Sequence, residues 1–283
     1  MLYKEKRTYP RIFGLERERI GLWGRARLAI QKFNTKVWYQ LVSFKAEDDL
    51  TFMNFGYAPH DTAGAALELA PSEECNRLPT QLYNRVIGAT DLRGKDVLEV
   101  GSGRGGGSAF LHRHFRPRSM TGVDFCSRAV AFCRRRHGHS TLSFKRGDAE
   151  KLPFPAASFD AVVNVESCHC YLSVERFLEQ VVRVLREGGH FLFADVGPRP
   201  YILALREQLG RCGLSIVEEE DITSNVVRAL GITSERNTES IQEQVPPGLR
   251  STFRNFSGVE GSPVFGALST GEWLYVRFLL EKT

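Results

Sequence analysis

The segment from Lys95 to Gly107, K-D-V-L-E-V-G-S-G-R-G-G-G, restricts the fold more than any other part of the chain. Val97, Leu98 and Val100 form a short apolar run, as a strand buried in a parallel sheet requires. Glycines at 101, 103 and 105 follow, where the backbone can turn as side chains forbid and a ligand can approach closely. A helix expected from about Gly106 to Phe115 points its N-terminal N–H groups at that ligand. Gly101, Gly103 and Gly106 also satisfy G-x-G-x-x-G, so the glycines alone do not separate a dinucleotide from another nucleoside ligand.

Two acids move the balance. Glu99 lies two residues before the first glycine, and a carboxylate there opposes a pyrophosphate but favours a cationic amino group. Asp124 ends a second expected strand, Met120 to Val123, at roughly the ~20-residue spacing at which an acid receives ribose hydroxyls. A ligand with a ribose, a cationic amino-acid part and no phosphate is S-adenosylmethionine, and the chain accordingly resembles a class I methyltransferase.

A chain of 283 residues, 42% hydrophobic, is long enough for one elaborated domain or two small ones. Its six cysteines have no C-x-x-C spacing, and the opening has no signal-peptide apolar run, so free thiols in the cytoplasm are expected. No stretch reads as a stable membrane insertion. The Cys168-His169-Cys170 triplet lacks a second ligand pair at zinc spacing, and no metal is expected. The net charge of +5 gathers on Arg113, Arg116, Arg118, Arg128 and Arg134 to Arg136. These read as solvated helix faces and cation-favouring helix ends rather than a nucleic-acid surface.

Taken in order, residues 1–90 are expected to form a helical arm and lid. Met1 to Glu18 mixes both charge signs, and Trp23, Ala26, Ile30, Phe33, Val37 and Leu41 form one amphipathic stripe. The loop Thr51 to Asp61 is rich in aromatics that close a pocket or a core. Residues 91–220 alternate strands and helices: strands at 96–100, 119–124, 142–145, 159–165, 189–196 and 213–218, with helices at 106–115, 126–137, 173–187 and 200–210. This is the pattern of an α/β, doubly wound, Rossmann-like seven-stranded sheet, whose ligands bind beyond the carboxyl ends of the strands. Gly101, Asp124, Asp148, Asn164 and Asp195 all fall at or just past such ends. Residues 221–270 lose periodicity and read as a cap in short pieces, and 271–283 return as a last, antiparallel strand at the sheet edge.

Four strings, V-L-E-V-G-S-G-R-G-G-G, R-G-D-A-E-K-L-P-F, N-V-E-S-C-H-C-Y and V-V-R-V-L-R-E-G-G-H-F-L-F-A-D, are together similar to the phthiotriolone/phenolphthiotriolone dimycocerosate methyltransferase family. The likeness runs from about Phe52 onward. It implies O-methylation of hydroxyls on polyketide-derived lipids, with S-adenosyl-L-methionine as cofactor. It also implies cofactor contacts at Glu99, Gly101, Gly103, Asp124, Asp148 and Ala149, with Tyr57 at the methionine carboxylate end. Ser102, Gly105, Phe125, Asn164 and Glu166 complete the expected cofactor set. His169 becomes the catalytic base, with Asp195 as its partner.

Methyl transfer needs alignment of the acceptor and, for a neutral alcohol, removal of a proton. An imidazole with an ordinary pKa of about 6.5 is suited to that, and parallel neighbours should bring Asp195 beside it. An N-methyltransferase or a carboxyl methyltransferase would not need this base, and a C-methyltransferase is a further alternative. A nucleic-acid methyltransferase is disfavoured because the fourth strand ends Asn164-Val165-Glu166-Ser167 and no Pro-Cys nucleophile occurs. A non-catalytic cofactor-binding protein is the remaining alternative. The expected partner is a small, lipophilic acceptor, and a homodimer is an admissible assembly.

Overall fold

The computed structural model describes residues 50–61 and 67–283. The charged arm and the amphipathic helix expected before Leu41 lie outside the described residues. A short 3₁₀ turn leads into α1 (Arg77–Ile87). The core follows as β1 (Asp96–Val100), α2 (Gly106–Phe115), β2 (Ser119–Asp124), α3 (Ser127–His137), β3 (Leu142–Arg146) and β4 (Phe159–Val165). Next come α4 (Val174–Val184), β5 (Leu185–Pro198), α5 (Arg199–Leu209) and β6 (Ser215–Asp221). Helices α6 (Thr223–Gln244), α7 (Arg250–Phe256) and α8 (Pro263–Ser269) precede β7 (Trp273–Glu281).

The seven strands lie in the order β3-β2-β1-β4-β5-β7-β6, and β7 runs antiparallel to both of its neighbours. The doubly wound sheet expected from the alternation is present. Its last strand differs from expectation in place: β7 lies inside the sheet, between β5 and β6. Burial explains why, since nearly every residue of β7 is buried, whereas β6 carries the exposed acids Glu218 and Glu219 that keep an edge strand from pairing further. Strand β6 also begins two residues later than expected, after Gly213 turns the chain at a φ of +90°.

The cap is likewise different. Residues 223–244 form one continuous helix rather than short pieces. Its buried positions are Thr223, Val226, Ala229, Leu230, Ser234 and Ile241, a helical spacing carried partly by small and polar residues.

Strand pleating divides the core in two. Leu98 and Val100 join a cluster with Phe177 and Val181 of α4 and Leu205 of α5, while Val97 faces Leu82 of α1 and Phe110 of α2. The order of strands reverses between β1 and β4, so the crevice that such sheets use opens at their carboxyl ends.

Candidate active site

A cavity occupies that crevice. Gly101, Ser102 and Gly103 after β1, Asp124 and Phe125 after β2, Asp148 and Ala149 after β3, and Glu166 after β4 all line it. Gly101 has a φ of +77°, and a Cβ there would lie 2.3 Å from Ser167 Oγ, so only glycine lets the loop pass beneath that hydroxyl. The Asp124 carboxylate accepts from Gly103 N at 2.8 Å and Cys126 N at 2.7 Å, which fixes its position at the wall.

Four of the expected cofactor residues are placed elsewhere. The pleat puts Glu99 on the same face as Val97, and its carboxylate is buried between α1 and α2. There it accepts from the Tyr83 hydroxyl at 2.6 Å and from the Ser108 hydroxyl. Tyr83, not Glu99, reaches the cavity wall. The turn of α2 passes so close that a Cβ on Gly107 would lie 2.1 Å from the Tyr83 ring. Tyr57 is absent from the wall; burial raises its phenol, with Arg85, Glu220 and Arg277 acting on it as well. Gly105 packs against Cys133, His137 and Phe144. Asn164 is fully buried behind the wall, where its amide donates to Val100 O at 2.8 Å and Tyr171 Oη at 2.9 Å.

Burial without a full cationic partner raises the site's carboxylates. Burial pushes Glu99 up to about 7 against the opposing hydrogen bonds from Ser108 and Tyr83. Glu166 is partly accessible from the cavity, yet burial of its carboxylate also brings it up to about 7, against the Phe55 N–H that donates to it at 2.8 Å. Glu166 also has a φ of +48°, a left-handed turn that carries the chain from β4 into the Cys168–Cys170 turn.

That turn sets His169 beside the end of β5. Its Nδ1 donates to Asp195 Oδ1 at 2.6 Å, the juxtaposition expected of neighbouring strand ends. Asp195 is fully buried, and its second oxygen accepts from the Tyr201 hydroxyl at 2.7 Å. Neither His169 nor Asp195 belongs to the cavity wall; the next residues, Cys170 and Tyr171, do. Burial presses the imidazolium down, but the neighbouring Cys170 and Asp195 outweigh it and hold His169 well above its ordinary value. The pairing favours the imidazolium more than the ordinary value expected from the sequence would.

Several wall residues escaped sequence reasoning, among them Met53, Asn54, Tyr83, Arg104 and Tyr171. The aromatic loop around Met53 and Asn54 was legible as a pocket closure without saying which residues face inward. For Tyr83 the signal was its place on an amphipathic helix just before β1.

The expected ligand fits this wall on three observations. Gly101 gives a close approach that a side chain would fill, the buried Ser102 Oγ has no hydrogen-bond partner, and the Glu99–Tyr83 pair supplies negative charge but no positive charge beneath the glycine loop.

The comparisons agree with this geometry. Residues 98–193 match the family described as a methyltransferase domain. The phthiotriol/phenolphthiotriol dimycocerosates methyltransferase of Mycobacterium tuberculosis is 38% identical over 248 residues, 87% of this chain and 91% of the relative. A fatty-acid O-methyltransferase of Mycolicibacterium smegmatis is 43% identical over 206 residues, 72% of this chain and 73% of the relative. Among solved structures, the [4+2]-cyclase SpnF superposes with a TM-score of 0.68 at 21% identity, covering 88% of this chain and 94% of that one. Geranyl diphosphate C-methyltransferase of Streptomyces coelicolor superposes with a TM-score of 0.63 at 16% identity, covering 89% and 98%. These two show a shared fold.

Proposed function

Since the chain belongs to the family of S-adenosylmethionine-dependent methyltransferases that includes the phthiotriol/phenolphthiotriol dimycocerosates enzymes, we propose that it methylates a hydroxyl of a small, lipophilic molecule. The observation that carries the hydroxyl is the His169–Asp195 pair at 2.6 Å, one residue from the cavity wall. An alcohol must lose a proton as the new C–O bond forms, and a carboxylate-oriented imidazole is a group that can take it. A bound S-adenosylmethionine supplies a methyl group made electrophilic by its sulfonium.

The chain's own residues do the remainder. Asp124 would accept from ribose hydroxyls and Asp148 from the adenine amino group, both residues lining the cavity. Ser102 Oγ and the backbone of Gly101 and Gly103 would receive the amino-acid part, whose positive charge the Glu99 carboxylate would favour. His169 Nε2 receives the hydroxyl proton while Nδ1 stays on Asp195 Oδ1. Asp195 is a positioning residue, held in turn by Tyr201.

The division into lid, core, cap and last strand belongs to the same proposal, with 1–90 and 221–270 sheltering the acceptor. A cytoplasmic setting is supported by six cysteines, none of which is in a disulfide. No helix among the described residues is long and apolar enough to cross a membrane. We include a homodimer as an admissible assembly and do not expect nucleic acid as acceptor, because the chain leaves β4 through Asn164-Val165-Glu166-Ser167 and no Pro-Cys nucleophile occurs.

The test is product identity. The purified chain is incubated with S-adenosylmethionine and a panel of long-chain alcohols, phenols and fatty acids, and products are read by mass spectrometry. Methyl ethers are expected. Methyl esters alone would replace this reading with carboxyl methylation, since a fatty acid is already ionised and needs no base.

A further inference from the structure

Phe52, Met53 and Asn54 line the cofactor cavity, and they also line a second one. This cavity, of about 410 Å³, lies between the 50–55 segment, the start of α1, and helices α6 and α7. We propose that it holds the hydrocarbon chain of the acceptor, with the hydroxyl-bearing end at the wall the two cavities share. The proposal rests on the hydroxyl methylation argued above and adds where the substrate lies.

The chemistry of the walls selects the occupant. Leu78, Leu230, Ile241, Phe253 and Phe256 present apolar surface, and among the described residues lining it Arg236 is the only charged one. A small polar acceptor would gain little there, whereas an aliphatic chain would exchange water for hydrocarbon along its length. At the ~30 Å³ that a water-sized group occupies, the volume takes on the order of a dozen methylenes.

Continuity with the first cavity gives the orientation. The 50–58 strap is pinned at one end where Gly106 N donates to Thr51 O at 3.2 Å, and at the other where Tyr57 N donates to Leu78 O at 3.0 Å. Between the pins, Phe55 N donates to Glu166 at 2.8 Å. Glu166 lies three residues before His169, so the shared wall is tied to the segment that carries the proton acceptor. A chain seated on α6 would thus end at Met53 and Asn54, on the wall shared with the cofactor cavity.

The experiment uses the full chain and needs no turnover for its first arm. A fluorescent polyene alcohol is displaced by 1-alkanols of about six to about eighteen carbons. Affinity should rise roughly fourfold per methylene, the equivalent of ~0.8 kcal/mol per buried group, and level off near a dozen carbons. Ser240→Trp and, independently, Thr233→Trp project into the cavity from small, half-buried positions on α6 and should move that break to shorter chains. Unchanged S-adenosylhomocysteine affinity by calorimetry verifies that each variant is folded.

No displacement by any alkanol, or a break that neither variant moves, would overturn the proposal. The two readings fail separately. Ether formation with an immovable break sinks the cavity and leaves the hydroxyl chemistry. Alkanol binding that the tryptophans abolish, without ether formation, supports the cavity as an alkyl site and sinks the hydroxyl chemistry.

Discussion

The two edges of the sheet treat acidic residues in opposite ways. At the carboxyl edge, Glu99 and Glu166 have no arginine or lysine ion pair among the described residues, and both are pushed up to about 7. At the amino edge, Asp96 and Asp160 share Arg118 and Arg186. The Arg118 guanidinium, aided by Ser119 and Arg186, holds Asp96 well below the usual range. Asp160 is pushed up by burial, but the Asp96 N–H and Arg186 outweigh that and hold it low. The amino-edge acids are paired with arginines, whereas Glu99 and Glu166 at the carboxyl edge are held by hydrogen bonds from hydroxyl and backbone N–H groups without an arginine or lysine among the described residues. Raised carboxylates and a raised histidine at or just behind the wall of one crevice mark it as a candidate site for work on ligands and protons.

The comparison breaks most visibly at His169. His169→Ala should lower turnover by ~10²–10⁴-fold, while cofactor affinity changes little because His169 lies outside the cavity wall. In the intact enzyme the raised imidazole must lose its proton before it can accept another. Turnover should therefore climb with pH above 7 until the imidazole is neutral. A pH–rate profile checks both statements. If the alanine variant turned over normally, or if the wild-type rate fell steadily above pH 7, catalysis would rest on alignment alone.

Much of the carboxyl edge was legible in the sequence, because it is built locally. Strand β1 and helix α2 have the expected bounds, and the glycine loop with Asp124 and Asp148 falls where strand ends must fall. What was not legible depends on direction or on distance along the chain. Glu99 was readable as an acid near the ligand, but its pleat partner Val97 sends it behind Tyr83. Tyr57 was one aromatic among several in a loop, and the charges that act on its phenol include Glu220 and Arg277 on strands more than 150 residues away. Helix α6 hid its period in Thr223, Ala229 and Ser234, which hydrophobic patterning does not count. The place of β7 is a pairing choice between β5 and β6 that no local pattern encodes.

Glu99 offers a finer test of the same edge. Its carboxyl is raised to about 7, so about half of it is protonated at pH 7. A cationic ligand favours the ionised form, and binding of S-adenosylmethionine at pH 7 should release up to roughly half a proton. Calorimetry in buffers of different ionisation enthalpy measures this release. Glu99→Gln keeps the shape between Tyr83 and Ser108 but removes the charge. It should abolish its share of the release and weaken cofactor binding by about tenfold per lost unit of coupling at pH 8, with a smaller loss at pH 6. Stability should move the other way. A carboxyl raised in the folded state stabilises most below its unfolded value near 4.5 and loses that contribution as pH rises through 7, so the glutamine variant should melt higher than wild type at pH 8. Proton release unchanged in the variant would show that Glu166, not Glu99, titrates with the ligand.

The smallest effect belongs to the amino edge, where the same substitution logic should touch stability and nothing else. Arg186 donates to Asp160 Oδ1 at 2.8 Å and to Asp96 Oδ2 at 3.1 Å, and its side chain is 35% accessible. Solvent screening limits such a pair, and Arg186→Ala should cost about 1 kcal/mol, a fall of roughly 2–4 °C in melting temperature near neutral pH. Both aspartates are lowered in the folded state, so their contribution is present above the unfolded value near 4 and disappears as pH falls through the folded values. The wild-type and variant melting curves should accordingly converge in acid. Cofactor affinity and turnover should stay at wild-type levels, because these aspartates lie at the start of β1 and β4, a strand's length from the crevice. A loss of cofactor affinity in Arg186→Ala would mean that the two edges are coupled through β1 and β4, and that the division of labour between them is false.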